Sequence, residues 1–416
     1  MLASQRVRAG NDDSILVGTE AAQMAGAITA IVSDGAAVYY NPSGLANTKA
    51  ASLDASLSTY GVRFIAVKDL LEGPQNSVGA KYTDWVVVPS LVSHVLKLSE
   101  RWRFSYAVIV PRVQNYSVEV TLRAPDETRW QALQQEQSQE IDIGAGVGGY
   151  VLDNLRFGAS LLGIYNTDNL ISSAFAGNPM YPNMAVSALS LVSTHDYGLS
   201  VRTGLQWDAL PQLAFGVMVV SPNLVVVRNT TDNGSVFTPG NAAGVPPVQN
   251  FDRSSDTSAA FDLSGVPQVR MGGAYHYGPG SVTLDSTLNF PLNNLTYEGD
   301  RKFSWNLRAG MRHRLTDTVS IGSGLFTDRN PYRKHGADFY GFTLGASFAK
   351  VFDLSKGGSL SVLTSLNVRY AYGYGTATGS KVPALENAVG GLSFDAVSTG
   401  VRINELGVSL GAGLKY

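Results

Sequence analysis

The sequence predicts an all-β fold: a transmembrane antiparallel β-barrel of about fourteen strands, with a small N-terminal helical hatch inside its lumen. Three observations carry that expectation. Apolar and polar side chains alternate with period two from about Ala51 to the end of the chain. The connections between the alternating stretches are short and long in turn. Composition is poor in charge and rich in glycine and aromatic residues.

The alternation gives each stretch one face for lipid and one for water. In Phe303 to Arg314, Phe303, Trp305, Leu307, Ala309 and Met311 share a face, while Ser304, Asn306, Arg308, Gly310 and Arg312 share the other. Tyr197, Leu199, Val201 and Leu205 likewise oppose Asp196, Ser200, Arg202 and Gln206. Such segments fall near 51–66, 85–98, 102–120, 137–152, 155–168, 195–207, 212–228, 263–277, 281–297, 303–314, 318–329, 338–352, 358–373 and 401–416. All but 102–120, which is longer, run about 12 to 17 residues, against about 5 or 6 for strands of soluble sheets. The last residue, Tyr416, is aromatic on the apolar face. Both features favour a bilayer over the competing all-β readings, a tandem sandwich or a propeller.

Short connections at 98–101, 152–155, 208–212, 277–280, 315–318 and 353–358 carry the Gly, Pro, Asn and Asp of tight turns. Longer ones lie near 67–84, 121–136, 169–194, 229–262, 330–337 and 374–400. Short periplasmic turns opposite long extracellular loops are the outer-membrane pattern, and an even number of strands puts both termini in the periplasm.

Charged residues make up 15% of the chain where about 25% is usual for soluble proteins, and there are 44 Gly, 19 Tyr and 16 Phe. A mean hydropathy of +0.02 is what results when lipid-facing apolar residues alternate with small or polar lumen-facing ones. The net charge of −2 leaves no basic footprint for nucleic acid. With no Cys there is no disulfide, thiolate nucleophile or Cys-ligated metal. The longest apolar helical stretch, Ala21 to Val32, contains Gln23 and falls short of the ~20 residues a spanning helix needs. The opening MLASQRVRAGNDD lacks the apolar core and small-residue cleavage site of a signal peptide, so for a barrel the export signal is expected to have been cleaved, replaced or left out of this sequence.

Residues 1–50 do not alternate and form the expected hatch, with 51–416 forming the barrel. Small-residue helical turns are expected around Thr19 to Ile31, and Ser33 or Asp34 is placed to cap a short helix. Tyr40 before Asn41-Pro42 allows a sharp break. A barrel of this size is wider than the side-chain-filled eight-stranded type, so its lumen leaks unless something fills it.

The run GAAVYYNPSGLA at Gly35 to Ala46 resembles the N-terminal hatch of the FadL/TodX family, outer-membrane transporters for long-chain fatty acids and other hydrophobic compounds. The family's Asn-Pro-Ala element reads here as Asn41, Pro42 and Ser43, followed by Gly44, with Ser in place of Ala. The resemblance extends through Val86 to Arg112, Leu307 to Tyr332 and Phe339 to Phe348. It implies a fourteen-strand barrel and a route. Ligand gathers in an apolar groove of the outer loops, moves inside the barrel, and leaves sideways through a gap at a kink of the third strand, opposite the Asn-Pro-Ala element. Pro111 lies in the proposed third strand, where its missing N–H must break a ladder hydrogen bond and favour a bulge; a harmless bend near a strand end is the plainer reading.

Ligand-binding candidates come from two places. The segment 169–194 holds Leu170, Ile171, Phe175, Met180, Tyr181 and Met184, an apolar load that suits a greasy ligand or a loop packed on itself. Arg270, Arg308 and Arg312, with Arg202 and Arg369, share lumen parity and suit either a carboxylate headgroup or pairing with Asp142, Asp196 and Asp285 to hold the plug. GAGVGG at Gly144 to Gly149 and GVSLG at Gly407 to Gly411 match nucleotide-binding and nucleophile-elbow patterns but lie inside strands, where neither functions. His94, His195, His276, His313 and His335 are scattered without metal-ligand spacing. No enzyme activity, cofactor or metal is expected. The expected partners are a hydrophobic ligand and outer-membrane lipid, and the competing role is a scaffold or docking subunit that holds a protein partner at the extracellular loops.

Overall fold

The computed structural model describes residues 15–48, 52–73, 75–124, 127–238, 248–292, 301–333, 335–353, 359–382 and 395–415. One sheet contains seventeen strand segments. They are β1 (Ser52–Glu72), β2 (Ser77–Val88), β3 (Leu91–Lys97), β4 (Trp102–Arg123), β5 (Arg129–Leu152), β6 (Leu155–Asn178), β7 (Tyr181–Leu210), β8 (Leu213–Val220) and β9 (Asn223–Thr238). The remainder are β10 (Val248–Ser264), β11 (Gln268–Tyr277), β12 (Gly280–Asn289), β13 (Ser304–Arg314), β14 (Val319–Asp328), β15 (Gly336–Asp353), β16 (Ser359–Lys381) and β17 (Asp395–Lys415).

Three pairs, β2 with β3, β8 with β9 and β10 with β11, are halves of single passages. Each break contains a proline, at Pro89, Pro222 and Pro267, because proline cannot donate to the ladder. The described chain therefore crosses the wall fourteen times. Successive passages pair antiparallel, and β17 returns to β1 from Ser52↔Lys415 to Val67↔Val401, closing the barrel. Closure is what lipid demands, since an open edge there would leave N–H and C=O groups without partners.

All the expected strands are present, but several expected loops are not loops. β1 continues to Glu72 and β2 starts at Ser77; β4, β5, β6 and β7 turn most of 121–136 and 169–194 into tall hairpins. Much of 229–262 and 374–400 is strand as well. These extensions stand above the bilayer, where the outer face no longer needs apolar residues, so the alternation that marks a strand in lipid fades while the ladder persists. In the other direction, β12 ends at Asn289, and residues 293–297 of the expected strand lie outside the described residues. Residues 1–14 and Tyr416 lie outside the described residues.

The two faces are inverted relative to a soluble protein. Leu284 is 60% exposed while the next residue, Asp285, is 3% exposed. Trp305, Leu307 and Met311 face out and Ser304, Asn306 and Arg308 are buried within, as do Tyr197, Leu199, Val201 and Leu205 against Asp196, Ser200, Arg202 and Gln206. On β7 the outward run from Trp207 to Tyr197 rises roughly 25 Å at the usual strand tilt, the height of a lipid belt. Aromatic pairs mark both rims, Trp207 with Phe215 at 6.0 Å near the short turns and Tyr165 with Tyr197 at 5.1 Å above.

Inside the barrel lie residues 15–48, nearly all buried, as α1 (Thr19–Gln23), α2 (Ala37–Tyr40) and a 3-10 helix (Pro42–Asn47). The expected helical turns run on past α1, with Ile31 N donating to Ile28 O at 3.0 Å, but they do not merge into one helix because Ala25 and Gly26 take positive φ, 52° and 78°. Asp34 Oδ1 accepts from the Ala36 N–H at 3.0 Å just before α2.

An exposed belt of this kind makes a depth-dependent prediction. Leu284→Arg, in the middle of β12, should destabilise the barrel by about 2–4 kcal/mol, and Met180→Arg at the β6–β7 tip by less than about 1 kcal/mol. Urea unfolding in lipid vesicles measures both; equal effects would mean that Leu284 does not face acyl chains.

Candidate functional site

The N-terminal segment is too irregular to satisfy its own backbone, so the wall does it. Inward side chains donate to its carbonyls: Ser160 Oγ to Val38 O at 2.8 Å, Arg202 Nη1 to Tyr39 O at 2.6 Å, Thr343 Oγ1 to Gln23 O at 2.9 Å and Arg103 Nε to Thr48 O at 3.0 Å. Asp285 Oδ2 accepts from the Thr29 N–H at 2.9 Å, and Arg312 forms an ion pair with Glu20.

Asn41 is the knot of this web, fully buried at the N-cap of the 3-10 helix. Its Nδ2 donates to Thr29 O at 2.8 Å and to Leu205 O of β7 at 3.1 Å. Its Oδ1 accepts from the Ser43 N–H at 3.3 Å and from Ser43 Oγ at 2.7 Å. The Ser that departs from the family's Ala thus adds a hydrogen bond to Asn41. The wall is bare where this turn sits. A Cβ at Gly204 would strike Asn41 Oδ1, and Cβ atoms at Gly148 and Gly158 would strike the Pro42 backbone. A Cβ at Gly44 would strike Val32 O. Within the GAGVGG run, Gly148 is therefore part of the seat for the N-terminal segment, while Gly144 and Gly149 face the side chains of Leu162 and Trp102 in the wall.

Above that segment the lumen is apolar. Leu71, Tyr116, Val118, Val120, Leu122 and Trp130 belong to one buried cluster with Phe326 and Phe339, and a cavity lies among Leu71, Val118, Val120, Ala132 and Leu133. A second cavity lies lower, between Ile15, Leu16 and Ala22 of the N-terminal segment and Arg63, Val86, Arg369 and Glu405 of the wall. A third, polar one is lined by Tyr39, Arg112, Glu140, Arg202 and Arg270.

Pro111 sits between the first two. The β4–β5 register shifts from Ile109↔Asp142 to Arg112↔Glu140, which inserts one extra residue into β4. A one-residue insertion exchanges the faces of every side chain beyond it. Trp102, Tyr106 and Val108 accordingly face lipid, whereas Tyr116, Val118, Val120 and Leu122, of the same parity, face the lumen. The neighbouring passage breaks at the same height, at Pro89 between β2 and β3. β3 pairs β4 up to Leu91↔Ile109, and Val110 N donates to Ser90 O at 3.1 Å. Higher up, β2 pairs with β1 and β4 with β5, and among the described residues no backbone ladder joins β2 to β4; near the top Asn76, just before β2, donates from its side-chain Nδ2 to Arg123 O at 2.5 Å. Ile15 packs against Val86 and Val110 at the foot of this seam.

The expected ligand residues separate. Leu170 faces the lumen; Ile171 and Phe175, on the same strand with the opposite parity, do not, and Met180 is at the exposed hairpin tip. The side chains of Tyr181 and Met184 lie outside the described residues. Arg308 lies against Gly26 and Arg312 against Glu20, so both hold the N-terminal segment. Arg270 donates to Gln268 Oε1 at 3.1 Å, 5.8 Å from the Tyr40 ring, and lines the polar cavity. Sequence reasoning missed Pro89, Arg63, Asp84 and Glu405. The inverted polarity of β4 after Pro111 is the signal in the sequence that could have pointed to the apolar lumen.

No protein-family model matches the chain, and no curated protein matches it by sequence. Solved structures do match in fold. A FadL homologue of Pseudomonas aeruginosa superposes with a TM-score of 0.64 at 15% identity, covering 96% of this chain and 98% of that one. The toluene transporter TodX of Pseudomonas putida gives 0.63 at 13%, covering 97% and 99%, and the toluene transporter TbuX of Ralstonia pickettii gives 0.56 at 12%, covering 97% and 99%. The chain has the FadL-type barrel fold.

Removing the knot should loosen the seat without opening the barrel. Asn41→Ala leaves the Leu205 carbonyl and the Ser43 groups short of partners, at about 1–3 kcal/mol for each buried group left unsatisfied. Amide exchange across residues 28–47 should quicken while exchange in β11–β14 stays slow. Unchanged exchange at 28–47 would show that Asn41 does not anchor the segment.

Proposed function

We propose that this FadL-type barrel is an outer-membrane channel for passive uptake of hydrophobic small molecules, long-chain fatty acids and monoaromatic hydrocarbons among them, released sideways into the membrane. The carrying observation is the unladdered seam between β2 and β4, which adjoins the lower cavity between the N-terminal segment and the wall. Residues 1–50 serve as the hatch. With Asn41, Pro42, Ser43 and Gly44 seated on glycine, a straight path to the periplasm is blocked and the wall is the remaining exit.

The apolar upper lumen supplies the pull. Moving a ligand out of water onto surfaces such as Leu71, Val118, Val120 and Leu170 gains about 25 cal/mol per Å² of apolar area buried. Phe175 and Met180 on the tall β6–β7 hairpin, with Ile171, Tyr181 and Met184, serve in collecting it. The lower cavity is the next station, and Pro111, level with the break at Pro89 in the neighbouring passage, makes the exit. Arg270, in the polar cavity, suits a carboxylate headgroup. The toluene-transporting neighbours support a hydrophobic cargo.

Cysteines at Val86 and Val110, joined by a short bifunctional thiol reagent, test the route, since the chain has no Cys of its own. Uptake of radiolabelled toluene and oleate by cells expressing this variant should fall at least tenfold on cross-linking and return on cleavage of the linker. Undiminished uptake through the tethered barrel would defeat lateral release. Absence of any uptake by the untreated protein, together with a protein that co-purifies at the extracellular rim, would instead favour a docking scaffold.

A further inference from the structure

Four charged side chains meet in the lumen beside the seam, on four different passages. Arg63 of β1 lies with Nη1 3.3 Å from Asp84 Oδ2 of β2 and Nε 3.7 Å from Glu405 Oε1 of β17; Arg369 Nη1 of β16 lies 2.7 Å from the same Glu405 oxygen. All are largely buried, with Asp84 side chain fully so. Two carboxylates balance two guanidiniums, so the group is electroneutral. A structural ion-pair cluster needs no more than that, yet Arg63 does something further. Its Nη1 also donates to the carbonyl of Val113 at 3.1 Å, and Val113 is on β4, across the seam. Asp84 accepts from the Asn115 N–H, again on β4. These are backbone groups that a β2–β4 ladder would use. Side chains of β1 and β2 stand in for the missing ladder, and the Tyr82 and Tyr116 rings, 5.7 Å apart, pack across the same line just above.

We infer that Arg63 is the latch of a gate in the barrel wall: with Asp84 it holds β4 against β2 by side-chain hydrogen bonds that can break and re-form, where a backbone ladder would hold the wall shut. The inference rests on the uptake route proposed above, and gives it a gating residue. The latch is also a cavity wall, since Arg63, Arg369 and Glu405 line the lower cavity with Ile15 and Leu16. A ligand settling there touches the group that locks the exit, and Glu405, shared by both arginines, ties the two together. Arg63 acts on the ligand's path through β4 and is a positioning residue.

Spin labels at Trp85→Cys on β2 and Asn115→Cys on β4 read the gate directly, because both positions are exposed on the outer face flanking the seam. In lipid nanodiscs the otherwise wild-type protein should give a single narrow inter-label distance. Arg63→Met should lengthen the mean by about one strand spacing, ~5 Å, and broaden it, with Arg63→Lys in between. Arg63→Met leaves buried carboxylates short of a cation, so Arg63→Met with Asp84→Asn, which removes one charge of each sign and leaves Arg369 with Glu405, is the companion that folds if the single variant does not. Saturating toluene or laurate should shift the wild-type distance the same way. A distance in the folded double variant superimposable on wild type overturns the latch. If the distance opens but uptake does not rise, the latch stands and the lateral route falls.

Discussion

Lipid offers a peptide group nothing to bond to, and that constraint organises this molecule. Every N–H and C=O in the belt must be paired by a neighbouring strand, so fourteen passages close on themselves through β1 and β17. Against that background the consequential places are where pairing lapses. A proline in one passage bends or bulges it, but a proline at the same height in two adjacent passages removes the ladder between them. Pro89 and Pro111 form such a pair, and Ser90 and Val110 make the last backbone bond below the lapse. What lies above is held by side chains.

The interior obeys the same accounting with different means. Residues 15–48 form only short helical turns, so many of their carbonyls look outward for donors. A lumen lined by Arg103, Ser160, Arg202 and Thr343 provides them, and this explains why polar and charged residues are buried in the belt while leucines are exposed. Glycine completes the fit. Hydrogen bonds at 2.6 to 3.1 Å from Asn41 and Arg202 require the segment's backbone to lie almost on the wall, which Gly148, Gly158 and Gly204 allow.

Much of this was legible in the sequence because alternation in lipid has one meaning. The face assignments at 303–314 and 195–207, the strand number, the short turns and the break at Pro111 all follow from period two and the chemistry of proline. Legibility ended where lipid ended. The segment 169–194 reads as a loop because its outward residues mix Ile171 and Phe175 with Asn169 and Ser173, although its backbone pairs residue for residue with β7. Arg63, Asp84 and Glu405 were invisible for another reason: each looks like any lumen residue, and only closure of β17 on β1 brings them together. Pro89 was absorbed into a single strand at 85–98 since its apolar neighbours continue on either side.

The bulge at Pro111 also settles how one barrel comes to have two kinds of lumen. Below it, β4 turns Arg103, Ser105 and Ala107 inward, residues small or polar enough to meet the N-terminal segment; above it, Tyr116, Val118, Val120 and Leu122 turn inward in their place. The same even-numbered apolar series faces lipid under the bulge and the lumen over it. The two apolar runs are separated at the crossing itself, where Arg112, paired with Glu140 at 3.1 Å, and Gln114 take the even positions at the height where the ladder to β2 is absent. A single inserted residue is thus enough to give one strand an apolar outer face below the bulge and an apolar inner face above it, with a short polar step between them.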